Sequence, residues 1–391
     1  MGKESEYISR LSRTKDSITK FVMPPAHARP DVVPIGDYKE NEPLEDYAVF
    51  FAGHGSPQEE GMERAYRQLA PIENLYSDIT RLLGKDLRTL TSDDLKHTIH
   101  GQPAIAGTNI SACLSHILAH PDELTNAPFA VSGQSAGVLS AGWYADMYGE
   151  KETRDAVLTT IQIAQTRGEI QQKIHNNPPS GHMLIAIKEK ANPRIDEDKE
   201  ILNRIREETL PREMPVSLAI DMSDTRFILG GTEDNLKKSR DEYKDRFPNV
   251  NFRFFDVTTS CVAFHTDLMK PVEDEIYELF ESLRGEMQPP KYPILSNTRK
   301  EPILIRTIDE FIEEQVRLIT LPVFARDMSK FLKKNGIDTG LEFGERGVIA
   351  KSMDGFDITP RAIAIGGAAA VAAGTAIAIG TGYLVKRSRK E

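Results

Sequence analysis

The chain has 391 residues, enough for a large domain with a substantial core and a smaller one beside it, and its 39% hydrophobic and 28% charged residues are ordinary for a globular protein. A formal net charge of −10, with no block of Lys and Arg in the body, argues against a nucleic-acid binder. Cys113 and Cys261, each in an apolar context, give neither a disulfide framework nor a metal cluster, the histidines show no HExxH spacing, and a reducing, cytoplasmic setting is expected with no metal and no cofactor.

Residues 1–46 mix Ser, Lys, Arg and acidic residues, then become proline-rich at Pro24, Pro25, Pro30, Pro34 and Pro43. They read as a partly helical extension followed by an extended linker, without the apolar region of a secretory signal. The body opens with Tyr47-Ala48-Val49-Phe50-Phe51, a short apolar strand delivering the glycine-bracketed loop Gly53-His54-Gly55. Such a loop lets backbone N–H groups face a ligand. Residues 61–83 read as helical, and Gln102-Pro103 is expected to open a helix over 104–120.

The apolar run Ala127-Pro128-Phe129-Ala130-Val131 leads into Gly133-Gln134-Ser135-Ala136-Gly137, and residues 138–148 are small and aromatic, as suits a buried helix. A Gly-x-Ser-x-Gly turn between strand and helix forces the serine into a cramped backbone and pushes its hydroxyl out above the sheet, while the new helix supplies N–H groups for an oxyanion. The other reading is a helix N-terminus with Ser135 as a plain cap. Alternating strands and helices argue for an α/β core with a mainly parallel sheet.

From His182 the pattern changes. Strands over 183–187, 216–220, 226–229 and 251–255 alternate with helices over 196–208 and 235–247, an order of β-α-β-β-α-β. The main domain resumes at His265, with a strand over 292–296, helices over 307–318 and 323–333, and a strand over 339–343. The expected fold class is therefore α/β: an α/β-hydrolase-like large domain with a parallel sheet (47–178 plus 257–350) and an inserted ferredoxin-like subdomain (179–256).

A hydrophobic C-terminal segment occupies 361–385, and residues 362–385 are uncharged, rich in Ala and Gly, and followed by Lys386-Arg387-Ser388-Arg389-Lys390. This stretch is long enough to span a bilayer, so a transmembrane segment or other membrane contact is expected. A buried or oligomer-forming helix of small residues is the alternative.

Several separated segments resemble one family. Phe51-Ala52-Gly53-His54-Gly55-Ser56-Pro57-Gln58 resembles the FPGQGSQ loop of the malonyl-CoA:acyl-carrier-protein transacylases and of the acyltransferase domains of fatty-acid and polyketide synthases. Gln102-Pro103-Ala104 resembles their TQPA segment, and Gly133–Gly137 their GHSLG elbow. Gln165-Thr166-Arg167-Gly168 is similar to the RG motif on the next helix, and Ala263-Phe264-His265-Thr266-Asp267-Leu268-Met269 to AFHSxLM. Pro293-Ile294-Leu295-Ser296-Asn297 resembles PVxSN, and Gln315 stands where the family carries a glutamine before LxxPV, here 318–323. The segments run in family order.

The resemblance implies acyl transfer between two thiols, with malonyl-CoA as donor and a holo acyl carrier protein as acceptor. Ser135 would be the nucleophile and His265 the base, held by a backbone carbonyl rather than an acid. The backbone N–H groups of His54 and Ala136 would hold the oxyanion. Arg167 would grip the free malonyl carboxylate with its guanidinium fork. Without the resemblance, Arg167 reads as a surface arginine and His265 as a satisfied core histidine. Gln315 either hydrogen-bonds near the acyl group or closes the pocket wall.

Gly168, mid-helix, is expected to let a ligand or a neighbouring chain approach closely, and Cys261 to pack as a small hydrophobe. Departures from the family are Gln134, Ala136, Val138 and His54; they alter the pocket lining and remove no group the chemistry requires. Arg299, Lys300, Arg317 and Arg326 are candidates for a basic patch that receives an acidic carrier. An acyltransferase for another acyl-CoA, a serine esterase or thioesterase, and a docking subunit without catalysis are the competing functions.

Overall fold

Short, wholly apolar runs build the main sheet. In a computed structural model, Tyr47–Phe51 (β2) is buried at every position, as a strand covered on both faces must be. It pairs in parallel with Ala130–Gly133 (β3) on one side and Thr339–Phe343 (β10) on the other. Ile294–Leu295 (β8) extends the parallel set beyond β3. Two antiparallel edge strands complete it, Val32–Ile35 (β1) on β10 and Leu304–Ile305 (β9) on β8, giving the order β1-β10-β2-β3-β8-β9. Phe51 stands opposite Gly133, so the chain leaves β2 and β3 at the same sheet edge and the 52–53 loop meets the elbow.

The structure describes residues 32–35, 46–53, 70–120, 122–151, 153–174, 180–187, 194–210, 215–250, 252–257 and 262–344. The expectations placed on most of the N-terminal extension, on His54, on Cys261 and on residues 361–385 lie outside them.

The layers on the main sheet are Ala70–Leu83 (α1), Ser92–Lys96 (α2), Thr98–Ala119 (α3), Gly137–Tyr144 (α4), Arg154–Gln172 (α5), Glu273–Leu283 (α8), Ile308–Thr320 (α9) and Ala325–Lys334 (α10). Helix α3 begins at Thr98 and carries Pro103 inside it, where the sequence predicted an opening at Gln102-Pro103. One proline removes a single ladder bond, which a helix of this length, packed against α5, tolerates. Helix α9 starts on a capping box in which Thr307 accepts from the Glu310 amide and Glu310 accepts from the Thr307 amide.

A second sheet contains Ser180–Ile187 (β4), Val216–Ser223 (β5), Arg226–Thr232 (β6) and Phe252–Val257 (β7), all antiparallel in the order β5-β6-β4-β7. Helices Ile195–Thr209 (α6) and Glu233–Arg246 (α7) interleave with these strands, in the order the alternation predicted. A backbone seam joins this sheet to the main body: the Asp221 amide donates to Val323, and the Val323 amide to Ala219.

The transmembrane expectation is corrected. Among the described residues no helix is long and apolar enough to cross a membrane. Even α3, at 22 residues, carries Gln102, Asn109 and His116, whose polar groups are buried against protein rather than lipid. Two further differences concern short or charged elements. β1 lies within the stretch read as linker, and α8, with Glu273, Asp274 and Glu275 in its first turn, was not anticipated.

Candidate active site

The turn Gly133–Gly137 has the geometry its spacing predicts. Ser135 holds φ at +50°, in the left-handed region that a residue with a Cβ enters only at a cost of about 1–2 kcal/mol. The flanking glycines make this turn sterically feasible. A Cβ on Gly133 would overlap the Gly137 carbonyl, and one on Gly137 would overlap the Phe51 carbonyl and stand 2.6 Å from the Ala52 oxygen. Ala136, directly after the serine in the chain, is the N-cap of α4.

His265 arrives from a different part of the chain, 130 residues on, and its Nε2 lies 2.8 Å from Ser135 Oγ. Both residues are buried. His265 also has a left-handed backbone, φ +64°, and its amide donates to the Ile319 carbonyl in α9. Its Nδ1 faces the Leu318 and Leu321 carbonyls, which raise its basicity without meeting full hydrogen-bond geometry. Desolvation outweighs them. Burial, with His182 and the Arg167 charge nearby acting in the same direction, pushes the His265 pKa down to about 3, so the ring is neutral at neutral pH.

Arg167, on α5, is 2% exposed and not a surface arginine. Its Nη1 donates to Gln102 Oε1 at 2.8 Å, and Gln102 Nε2 donates to Gln171 Oε1. No carboxylate pairs with Arg167 and its Nε has no partner among the described residues. Burial lowers its pKa to about 10, which leaves it charged. A buried cation without a counter-ion is costly, and the arrangement suits an anionic ligand group. Gly168, beside it, lets another chain segment in: a Cβ there would overlap the Thr98 carbonyl, and Thr98 Oγ1 donates to the Gly168 carbonyl.

Gln315 is fully buried, and neither amide atom has a partner among the described residues. It lies one turn before Ile319 on α9, on the face that holds His265. The structure therefore brings Ser135, Ala136 and His265 together and sets Arg167 within electrostatic reach of His265. His54 lies outside the described residues.

Sequence reading missed Glu314. This buried carboxylate accepts from Ser296 Oγ, Thr298 Oγ1 and the amides of Asn297 and Thr298, at 2.7–3.1 Å. Asn297 then donates through Nδ2 to the Gly133 carbonyl at 2.7 Å. The available signal was an acidic residue at the buried spacing of an amphipathic helix, between Phe311 and Leu318. Of the residues offered for a basic patch, Arg299 and Arg317 share Glu313, and Arg326 bridges Asp221 and Asp224, so these three side chains are already tied to carboxylates.

The class defined is an α/β protein with a serine on a strand–turn–helix elbow, buried against a histidine from a distant segment. No protein-family model and no curated protein matches the chain by sequence. Among solved structures, the chain is similar to an acyl carrier protein S-malonyltransferase from Vibrio cholerae, with 19% identity, TM-score 0.61, and 79% of this chain and 93% of that one covered. It is also similar to the malonyl-CoA:acyl carrier protein transacylase of Helicobacter pylori, with 19% identity, TM-score 0.60, and 80% and 93% covered. A malonyl-transacylase in complex with the acyl-carrier protein of a type II polyketide synthase matches at 19% identity and TM-score 0.59, with 79% and 92% covered. The chain has the fold of the malonyl-CoA:acyl-carrier-protein transacylases.

Proposed function

We propose that the chain is an acyltransferase that moves a malonyl group from malonyl-CoA to the phosphopantetheine thiol of an acyl carrier protein, through a Ser135 acyl-enzyme. The observation that carries this reading is Arg167: a buried guanidinium without a carboxylate partner among the described residues, close enough to His265 to depress its pKa. A malonyl thioester has a carboxylate to meet that charge; an acetyl thioester does not. The transacylase bound to its carrier protein, among the structural neighbours, supports the carrier as acceptor.

In the first half-reaction Ser135 Oγ attacks the thioester carbonyl carbon while its proton passes to His265 Nε2. The oxyanion is taken by the Ala136 amide and, by the sequence match, by that of His54. Collapse breaks the C–S bond, and coenzyme A leaves with the proton from His265. The pantetheine thiol then gives its proton to Nε2, the sulfur attacks the ester carbonyl, and the C–O bond breaks as Nε2 returns the proton to Oγ, restoring Ser135 and neutral His265. Gln315 lines the acyl site, where its amide, without a partner among the described residues, meets the malonyl group.

We further read residues 47–178 and 257–350 as an α/β-hydrolase-like catalytic domain, and 179–256 as a ferredoxin-like subdomain inserted in it. Within the extension 1–46, β1 joins the edge of the main sheet. Thioester chemistry and a free, buried Cys113 suit a reducing cytoplasm.

Intact-protein mass after brief exposure to malonyl-CoA tests the proposal. A malonyl adduct that requires Ser135 and disappears on adding holo carrier protein is expected. An acetyl adduct of equal yield would remove the malonyl assignment, and steady release of free acid without transfer would make the protein a hydrolase.

A further inference from the structure

The peptide between Phe264 and His265 is held from both sides. Its N–H, on His265, donates to the Ile319 carbonyl of the main domain at 3.1 Å. Its carbonyl, on Phe264, lies 3.0 Å from Nε2 of His182, a half-buried residue of β4 in the second sheet. The same two rings stack, with centroids 6.2 Å apart and planes 21° from parallel. A carbonyl only accepts, so Nε2 carries the proton and donates. Burial lowers the His182 pKa, which keeps the ring in this neutral form.

The position opposite His182 in the β4–β6 register is Gly230. A Cβ there would stand 2.5 Å from Thr266 Cγ2, so the missing side chain is what lets the residue after His265 seat against β6. Thr266 Oγ1 in turn donates to the Ala263 carbonyl at 2.7 Å and closes the turn. One cross-strand pair of the small sheet thus touches both neighbours of the histidine. Left-handed backbone at a non-glycine residue persists only where its surroundings over-determine it, and here they do.

We propose that His182 is a positioning residue for His265: by donating from Nε2 to the Phe264 carbonyl, it lets the small subdomain fix the peptide that aims the base at Ser135. This rests on reading Ser135 and His265 as the catalytic pair. His182 touches neither the acyl group nor Ser135; it acts through Phe264. Its loss therefore lowers the reactivity of Ser135 and leaves the Arg167–Gln102 subsite intact.

Two readouts test this: the rate at which a fluorophosphonate labels Ser135, which needs no acyl-CoA, and kcat and KM for malonyl transfer. His182→Gln keeps an amide nitrogen long enough to reach the carbonyl; His182→Asn is one bond short; thermal unfolding verifies that each variant is folded. We expect His182→Asn and His182→Ala to slow both labelling and kcat about 10- to 100-fold, as a small misplacement of a reacting group does, with KM for malonyl-CoA within about twofold of wild type. His182→Gln should recover most of the loss. Wild-type labelling rates in a folded His182→Asn would overturn the inference and leave the catalytic pair standing. So would His182→Gln as slow as His182→Asn. A wild-type protein labelled nowhere at Ser135 would remove the catalytic pair and this inference with it.

Discussion

Ser135 and His265 meet at 2.8 Å with both backbones in the left-handed region, at φ +50° and +64°. Two adjacent non-glycine residues from distant parts of the chain are each strained by about 1–2 kcal/mol, and the strain falls on the reacting pair rather than on its supports. The supports are ordinary: glycines where backbones cross, a buried carboxylate, and peptide groups pinned by hydrogen bonds. The site's precision thus comes from residues that take no part in the chemistry.

The strain at Ser135 separates stability from activity. Ser135→Ala and Ser135→Gly both remove the nucleophile and should abolish the malonyl adduct. Glycine enters the left-handed region freely, so Ser135→Gly should be more stable than Ser135→Ala by about 1 kcal/mol in denaturant unfolding. Equal stabilities would mean the strain is relaxed in solution.

Gly137→Ala tests the elbow from its other side. The added Cβ would press on the carbonyls of Phe51, at the end of β2, and Ala52, which accepts from Asn109 Nδ2, and neither can withdraw cheaply. A loss of about 2–3 kcal/mol is expected, together with a fall in serine labelling larger than the unfolded fraction explains. An Ala variant with wild-type labelling would show that the backbone gives way.

Arg167 is expected to trade stability against selectivity. Arg167→Met removes a buried cation that has no counter-ion among the described residues and should raise the unfolding temperature, since a folded protein gains from losing an uncompensated charge. The same change should lower malonyl transfer by about 100-fold or more while leaving acetyl transfer unchanged or improved. Transfer assays with both acyl-CoAs, beside a thermal melt, check the two halves independently. A less stable Met variant would point to a carboxylate partner outside the described residues.

The histidine imposes a direction on pH. Folded His265 takes up its proton near 3, whereas an unfolded histidine does so near 6.5. Between those values the unfolded chain binds more protons. The ring's contribution to stability is therefore fully present above about pH 6.5 and is lost as the pH falls toward 3. His182, also lowered by burial, adds in the same sense. Activity follows the same sign, because the base stays neutral and competent well below 6.5. In a pH–rate profile, kcat/KM should show no break at 6.5, while denaturant midpoints decline steadily below it. A break at 6.5 would mean that the site is wetter than its burial suggests.

How much of this was legible follows from the kind of signal each residue sends. Ser135 announced itself because two glycines and an apolar strand leave a local trace, and the ordered segments from Phe51 to Asn297 carried the pairing with His265. The β-α-β-β-α-β order emerged from alternating runs whose boundaries shifted by a few residues. Glu314 and His182 left no such trace: an acid on a helix and a histidine on a strand are ordinary until the fold brings Asn297 and Phe264 to them. Tertiary hydrogen bonds between segments far apart in the chain have no local pattern to read. The ion pairs of the basic-patch arginines were hidden for the same reason, since Glu313, Asp221 and Asp224 meet them only in three dimensions.

Glu314 gives the sharpest test of that distal support. Its two oxygens accept from two hydroxyls and two amides, and the segment they organise presents Asn297 to the carbonyl at the end of β3. Glu314→Gln keeps the shape but turns one acceptor into an NH2 group facing donors, which should cost about 2–3 kcal/mol. The consequence for chemistry runs through Asn297. With its anchor loosened, the Gly133 carbonyl loses its cap and the elbow shifts, so serine labelling and kcat should fall together about tenfold while KM holds, because Arg167 stands on α5 and is untouched. Asn297→Ala should reproduce the kinetic loss with a smaller drop in stability, since the carboxylate keeps its other donors. If Glu314→Gln weakens folding but Ser135 reacts at the wild-type rate in the folded fraction, the carboxylate braces the core and not the nucleophile.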